Sequence, residues 1–141
     1  MRARDNVGMI GDYNSGGTNV SAATGASTKC AIRWAQVAAP FATVVSDEIV
    51  VQERGVYIVS LSVAFAANAT GTRRAEVWKN GTLWDVVESP ANGTNALTLR
   101  YAGCPLRLVP GDRVACYGLQ TSGGALNIQC GISILKTASL Q

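Results

Sequence analysis

Histidine is absent from these 141 residues. That removes the commonest general base, the usual proton shuttle near neutral pH and the nitrogen ligand of most zinc centres. Carboxylates are scarce as well, nine Asp and Glu in all. A hydrolytic pair needs two carboxyls held across a cleft at ~5–9 Å with split pKa values. Glu76 and Asp85 are the pair a 78–84 hairpin can bring together; the alternative for both is a salt link to Arg73, Arg74 or Lys79. The four cysteines contain no Cys-x-x-Cys element, so a structural zinc site is not expected. Serine is plentiful, but without a base it is inert as a nucleophile. Ser15-Gly16-Gly17 and Ser122-Gly123-Gly124 lack the lysine and following helix of a phosphate loop, and read as turns. The reading is therefore not an enzyme, with no catalytic residue, cofactor or metal assigned.

Charge is also low. Charged residues make up 15% of the chain, against ~25% in an average soluble domain. The net charge of +3 is mild and dispersed, where nucleic-acid binding wants a dense basic stripe. So little charge suits a domain that covers much of its outside with other subunits. Apolar runs are broken well short of the ~20 residues of a membrane helix. Arg2 and Arg4 resemble the start of a signal peptide, but Asp5, Asn6, Gly8, Gly11 and Asp12 occupy the place of its apolar region, so secretory export is not expected.

What is present is period-two patterning. From Gly55 to Asn68, Tyr57, Val59, Leu61, Val63 and Phe65 alternate with Ser60, Ser62, Ala64 and Ala66, the mark of a strand with one face in a core. Its small-residue face leaves room for another protein surface. Further extended pieces follow: Cys30–Val37, Ala42–Val51, Thr72–Lys79, Thr82–Glu88, Ala96–Cys104 continuing through Leu106 and Leu108, Arg113–Gln120 and Leu126–Leu135. Asn80-Gly81 is a two-residue hairpin signal, Pro110-Gly111-Asp112 a proline turn, and Ser89–Thr94 a loop. Eight to ten strands with turns every 8–12 residues, and no helical period, predict an all-β antiparallel two-sheet jelly-roll sandwich. The last strand, with Leu126, Ile128, Cys130, Ile132 and Ile134 inward, is expected at the centre of a sheet.

Residues 1–27 are different: Gly, Ser, Asn, Thr and Ala with isolated apolar anchors Val7, Met9, Ile10 and Tyr13. They cannot form a core. They are expected as an extended N-terminal arm docking on a neighbour, with residues 28–141 as the jelly-roll domain. Cys116 and Cys130 are in phase with core residues and are expected as buried thiols from a reducing compartment; a bridge from Cys104 or Cys30 is the alternative. Trp34 is expected as a core plug. Trp78 and Trp84 flank the hairpin, one expected in the core and one exposed. A sugar platform of Trp84 with Asn92 and Asn95 is a second use of the exposed ring.

A resemblance now emerges from the order of motifs. Trp34 lies on the first strand, Gly55-Val56-Tyr57 opens a strand ending in Phe65, and Gly71 and Arg73 follow. Lys79-Asn80-Gly81, Leu108-x-x-Gly111-Asp112-x-Val114, Gln120-x-Ser122-Gly123 and the strand Leu126–Leu135 complete it. Over residues 28–137 this resembles the jelly roll of the complement globular head and tumour necrosis factor, in the form found in bacteriophage head and tail proteins and spore-surface proteins. The resemblance implies a homotrimer about a threefold axis, for which Tyr57, Phe65, Tyr101, Tyr117 and Leu119 are the interface candidates. No collagen-like or heptad stalk is present to drive trimerisation. Calcium, bound by many members, finds no dense acidic loop here. The expected function is a virion structural protein, made in the host cytoplasm and placed on the particle exterior. It would decorate and cement a bacteriophage head, with the arm gripping the major capsid protein. The alternative is a receptor-binding or tail-fibre tip, meeting a surface glycan through loops 68–72, 89–95 and 121–125.

Overall fold

The structure, a computed structural model, describes residues 9–11, 20–32, 36–37 and 41–139. Its strands are β1 (Met9–Gly11), β2 (Val20–Ala22), β3 (Thr28–Lys29), β4 (Gln36–Val37), β5 (Ala42–Val45), β6 (Glu48–Val51), β7 (Gly55–Phe65), β8 (Thr72–Lys79), β9 (Thr82–Pro90), β10 (Leu97–Leu108), β11 (Arg113–Gln120) and β12 (Leu126–Ser139). The first sheet runs β10-β7-β12-β1-β4 with β2 also on β12; the second runs β5-β6-β11-β8-β9 with β3 on β11. All strand pairs are antiparallel, and most join strands distant in sequence. This is the two-sheet jelly roll that the alternation predicts.

The centre of the first sheet is β7 against β12, paired from Phe65–Ile128 to Gly55–Ser139. Along β7 every second residue is buried, from Gly55 through Tyr57, Val59, Leu61 and Val63 to Phe65. Ile128, Cys130, Ile132 and Ile134 of β12 and Leu99, Leu106 and Leu108 of β10 share that inner face. Ala75, Val77, Val114, Cys116, Ile49 and Val51 meet them from the second sheet. Gly118 permits the close approach: a Cβ there would sit 2.9 Å from Ile128 Cδ1 and 3.2 Å from Val63 Cγ1.

The turns follow their chemistry. Asn80 and Gly81 have φ of 52° and 77°, both positive as a two-residue hairpin turn of this hand requires. Asp112 N–H donates to Val109 O across Pro110-Gly111 (3.0 Å), with Gly111 at φ 95°, a type II turn. Asp112 then joins this turn to the hairpin, its Oδ1 accepting from Asn80 Nδ2 at 3.0 Å.

Three segments depart from expectation. Ala42–Val51 is a hairpin, not one extended piece: Ser46 and Asp47 turn it at φ 52° and 62°. No glycine announces that turn. Tertiary contacts hold it, since Asp47 Oδ1 accepts from Ile32 N (3.0 Å) and Lys29 Nζ donates to Ser46 O (3.3 Å). β10 is a single strand with a register shift between Ala102 and Pro105, so that Gly103 and Cys104 together oppose Val59. β12 continues past Leu135: Lys136 keeps the inward phase of Ile132 and Ile134, pairs with Tyr57 and donates to Glu53 Oε1 at 2.8 Å, before a second shift between Lys136 and Ala138.

Two expected outcomes follow from this packing. Gly71 and Gly81 both have positive φ, but only at Gly71 would a Cβ overlap the backbone carbonyl of Thr121. Gly81→Ala is expected to cost about 1 kcal/mol for its backbone alone, and Gly71→Ala clearly more, in urea unfolding. The Tyr57 phenol is enclosed, donates to Glu53 O at 2.6 Å, and burial, aided by the Glu53 charge, pushes its pKa up to about 12. The unfolded chain ionises this tyrosine near pH 10, so the native state binds the extra proton above it. Stability should therefore hold below pH 10 and fall as pH rises to about 12, with Tyr57→Phe flattening that slope and removing a phenol that ionises near pH 12 in an alkaline absorbance titration.

Candidate functional site

The carboxylate pair of the hairpin, Glu76 and Asp85, does not converge in the described sandwich. Glu76 pairs with Val86 while Asp85 pairs with Val77, so the two carboxylates occupy neighbouring register positions and point to opposite faces of one hairpin. Glu76, fully buried, accepts from Arg74 Nε (2.7 Å) and Trp78 Nε1 (2.9 Å) on the outer face. Asp85 accepts from Tyr101 OH (2.8 Å) at the edge between the sheets. The salt-link alternative holds for Glu76, with Arg74 as its partner.

The outer face of the first sheet is made by the quiet phase of β7. Ser60 and Ser62 of β7, Gly131 and Ser133 of β12, and Arg100 and Ala102 of β10 line a shallow trough of about 210 Å³. Ser60 lies opposite Ser133 and Ser62 opposite Gly131, so the floor is small side chains over a continuous stretch. Ile58 and Leu135, also paired, extend it as an apolar step, and Leu135 is exposed.

β9 is the outer edge of the second sheet and β10 that of the first. On that side of the sandwich Leu83 (43% exposed), Trp84 (49%) and Val86 (36%) form an apolar ridge. The ridge arises from a bulge: Trp78 pairs with Leu83 and Val77 with Asp85, leaving Trp84 as the extra residue. Lys79 Nζ lies 5.3 Å above its ring. A long apolar edge strand is normally blunted or covered. Pro90 at the end of β9 and Pro105 within β10 both fit edge positions.

Neither hairpin tryptophan is in the core, which corrects the expectation for one of them. Trp78 is half-buried on the outer face of the second sheet, stacked on Tyr117 with ring centroids 4.3 Å apart. The proposed sugar platform does not assemble either. Trp84 stands near the Asn80-Gly81 turn, whereas Asn92 and Asn95 lie beyond the other end of β9, ~25 Å away at ~3.3 Å per strand residue.

The interface candidates separate in the same way. Tyr57 and Phe65 fill the subunit's own core, because the large-residue phase of β7 faces the second sheet; they are not available to a partner. Tyr101 packs on the core at the β9–β10 edge. Tyr117 and Leu119 are half-buried on the outer face of the second sheet, opposite Glu76 and Arg74. Val7, Tyr13 and Trp34 lie outside the described residues, and of Met9 and Ile10 only the strand is described.

That strand alters the boundary expected at residue 27. β1 pairs with β12 and β4, β2 pairs with β12, and Thr24 bridges to Gln120. Ala22 is buried, and the buried Gln120 amide donates to Ala22 O at 2.9 Å and Gly124 O at 2.7 Å. The pieces 9–11 and 20–27 therefore belong to the sandwich. Sequence reading missed this because three-residue strands carry no periodicity.

Of the cysteines, Cys116 is the buried thiol expected, whereas Cys130 is not a free thiol but is bridged to Cys30, the stated alternative, between chain positions 100 apart. The three sulfurs lie within 4.8 Å of one another. Phase placed Cys116 and Cys130 inward, but only the stacking of the sheets sets Cys30 against Cys130.

At the opposite end from the Asn80 hairpin, loops 68–72, 89–95 and 121–125 are tied together. Thr72 N donates to Thr121 Oγ1 (2.8 Å) and Ala91 N to Gly71 O (2.9 Å). Arg73 turns inward and binds the carbonyls of Asn68 (2.8 Å), Thr70 (2.8 Å) and Thr72 (3.0 Å), with burial lowering its pKa from the usual guanidinium value. Nothing in the local pattern of Arg73-Arg74 signals which arginine is buried.

No family model matches the chain, and no curated protein matches it in sequence. Solved structures do. The Eiger TNF of S. frugiperda aligns with a TM-score of 0.69 at 14% identity over 96% of both chains. The globular domain of zebrafish complement 1qA aligns at 0.65 and 10% identity over 93% of this chain and 96% of that one. The PRD1 vertex protein P5 aligns at 0.61 and 23% identity over 92% of this chain and 72% of that one. The likeness is one of fold: the chain has the jelly roll of the tumour necrosis factor and complement-head proteins, which a viral vertex protein shares.

Proposed function

We propose that this chain is a structural protein of a virus particle that works as a homotrimer, decorating and cementing a bacteriophage head. The observation that carries the reading is the match between two surfaces of one subunit. The ridge of Leu83, Trp84 and Val86 supplies large apolar side chains, and the Ser60–Ser62–Gly131–Ser133 trough supplies room for them. Because ridge and trough are different patches, each copy can present its edge to the next copy's face. Such a head-to-tail contact closes into a ring when the rotation permits. Tyr101 sits at that edge. Arg100 beside the trough complements Glu88 near the ridge, a pairing that orients partners more than it binds them. The fold likeness to the PRD1 vertex protein supports a particle setting.

In this reading the outer face of the second sheet, with Tyr117 and Leu119, and the segments 1–8 and 12–19, with Val7 and Tyr13, are left to meet the major capsid protein. Its mechanism is area burial, at ~25 cal/mol per Å² before ordering costs, multiplied by three linked contacts. A second reading, a receptor-binding tip, draws on the three loops tied into one surface at the end of the sandwich.

Native mass spectrometry is expected to find an assembly of three chains of 14.7 kDa. Ser62→Arg, filling the trough, and Leu83→Asp, charging the ridge, should each give monomers with an unchanged strand-rich circular dichroism spectrum. A wild-type monomer at micromolar concentration, or trimers that survive both substitutions, would refute the contact. Particles assembled without the protein should still adsorb to cells but lose their shells at lower temperature; lost adsorption with intact shells selects the tip. A Val7→Asp, Tyr13→Asp double variant should remain trimeric and fail to attach to particles, and full attachment would rule out the terminal grip.

A further inference from the structure

Three sulfurs meet in the gap between the sheets, but only two are bonded. Cys30 follows β3 on the second sheet, Cys116 lies on β11 beside it, and Cys130 lies on β12 of the first sheet. Cys30 N–H donates to Cys116 O at 2.9 Å, so these two cysteines are cross-strand neighbours. Both face Cys130 across the core, and all three side chains are buried. Either neighbour can staple the sheets through Cys130, but the two staples differ in what they hold. Cys30–Cys130 ties the N-terminal segment to β12 across 100 positions. A Cys116–Cys130 bond would tie only β11 to β12, which are consecutive strands, and would leave the segment before Cys30 held by the short strands β1, β2 and β3, of three, three and two residues.

A metal ion is the competing use of three converging sulfurs. Three thiolates around a divalent ion leave net negative charge in an apolar core, and the charge acting on Cys116 is the anionic Glu76. A disulfide plus a protonated thiol is neutral, which the low-dielectric interior favours.

We propose that Cys116 is a resident exchange thiol: by attacking Cys130 it moves the inter-sheet crosslink from Cys30 to itself and removes the covalent tie on the N-terminal segment. The Cys116 thiol gives up its proton and its sulfur attacks Cys130 Sγ. The Cys116–Cys130 bond forms as the Cys130–Cys30 bond breaks, and Cys30 leaves as a thiolate that takes up the proton. One disulfide and one thiol stand on each side, so no oxidant or reductant is consumed. Burial raises the Cys116 pKa and keeps it protonated while the sheets are packed. Exchange is thus gated by a transient loosening of the sheets that admits water to the three sulfurs while they stay within reach of one another. This inference does not depend on the virion reading.

The test is to hold the oxidised full-length chain in sub-denaturing urea, quench with acid, alkylate free thiols, digest without reduction and identify crosslinked peptides by mass spectrometry. A Cys116–Cys130 peptide should grow with time while Cys30 becomes alkylated, and Cys116→Ala should abolish that product. Retention of Cys30–Cys130 alone up to global unfolding, or exchange through Cys104, would overturn the proposal. Independently, Cys30→Ser oxidised with glutathione disulfide should contain a Cys116–Cys130 bond; two free thiols there would also overturn it. Limited trypsin cleavage after Lys29 should be several-fold faster in Cys30→Ser than in Cys116→Ala, and equal rates would remove the release step.

Discussion

The register of β7 against β12 is the constraint on which the other features rest. Eleven residue pairs join strands some seventy positions apart, and side chains alternate faces along each. Fixing one pair therefore fixes which residues enter the core and which face outward. In the observed register Tyr57, Val59, Leu61, Val63 and Phe65 meet Ile128, Cys130, Ile132 and Ile134 inside, while Ser60, Ser62, Gly131 and Ser133 share the outside. A slip of one position would bury the serines and expose the aromatics. The trough and the disulfide are two consequences of a single alignment, since the phase that clears the outer face also turns Cys130 toward Cys30.

Polar groups are kept from opposing that alignment. Among the described residues every buried side-chain nitrogen and oxygen has a partner. The charged ones sit at ends and outer faces: Arg73 over its three carbonyls, Lys136 with Glu53, and Glu76 between Arg74 and Trp78. A buried polar group left unmatched costs more than a typical hydrogen bond gains, so these networks hold loops in place more than they add stability. The Arg73 network, with Thr121 beside it, gives the loop end one defined surface. Gln120 does the same for the N-terminal segment, binding Ala22 to the 121–125 loop through one amide.

Low charge has a structural counterpart here. The subunit carries exposed Leu83, Trp84 and Val86 on one edge strand, and serine and glycine floor the outer face of the other sheet. Large apolar edge residues are a liability in an isolated sandwich and an asset in an assembly. The same asymmetry accounts for the burial of Tyr57 and Phe65 within the subunit. Tyr57 and Phe65 are the largest residues of β7 and fill the core, while the outward phase beyond Ile58 carries only Ser60, Ser62 and Ala64.

Alternation and turn chemistry were enough to specify the strands β7, β8, β11 and most of β12, the Asn80-Gly81 and Pro110-Gly111 turns, and the two-sheet class, because these depend on neighbours two to four residues away. The Ser46-Asp47 turn, the bulge that exposes Trp84, and the places of β1 and β2 depend on contacts with distant strands. No local pattern encodes them. For the candidate site, the sequence by itself determined that one face of β7 is small and that Cys116 and Cys130 point inward. Only the tertiary structure decided that Trp84 joins an exposed ridge, that Tyr57 is spent in the core, and that Cys30 reaches Cys130. The physical reason is that side-chain phase is a local property of a strand, whereas which strand lies opposite is settled by the packing of the whole chain.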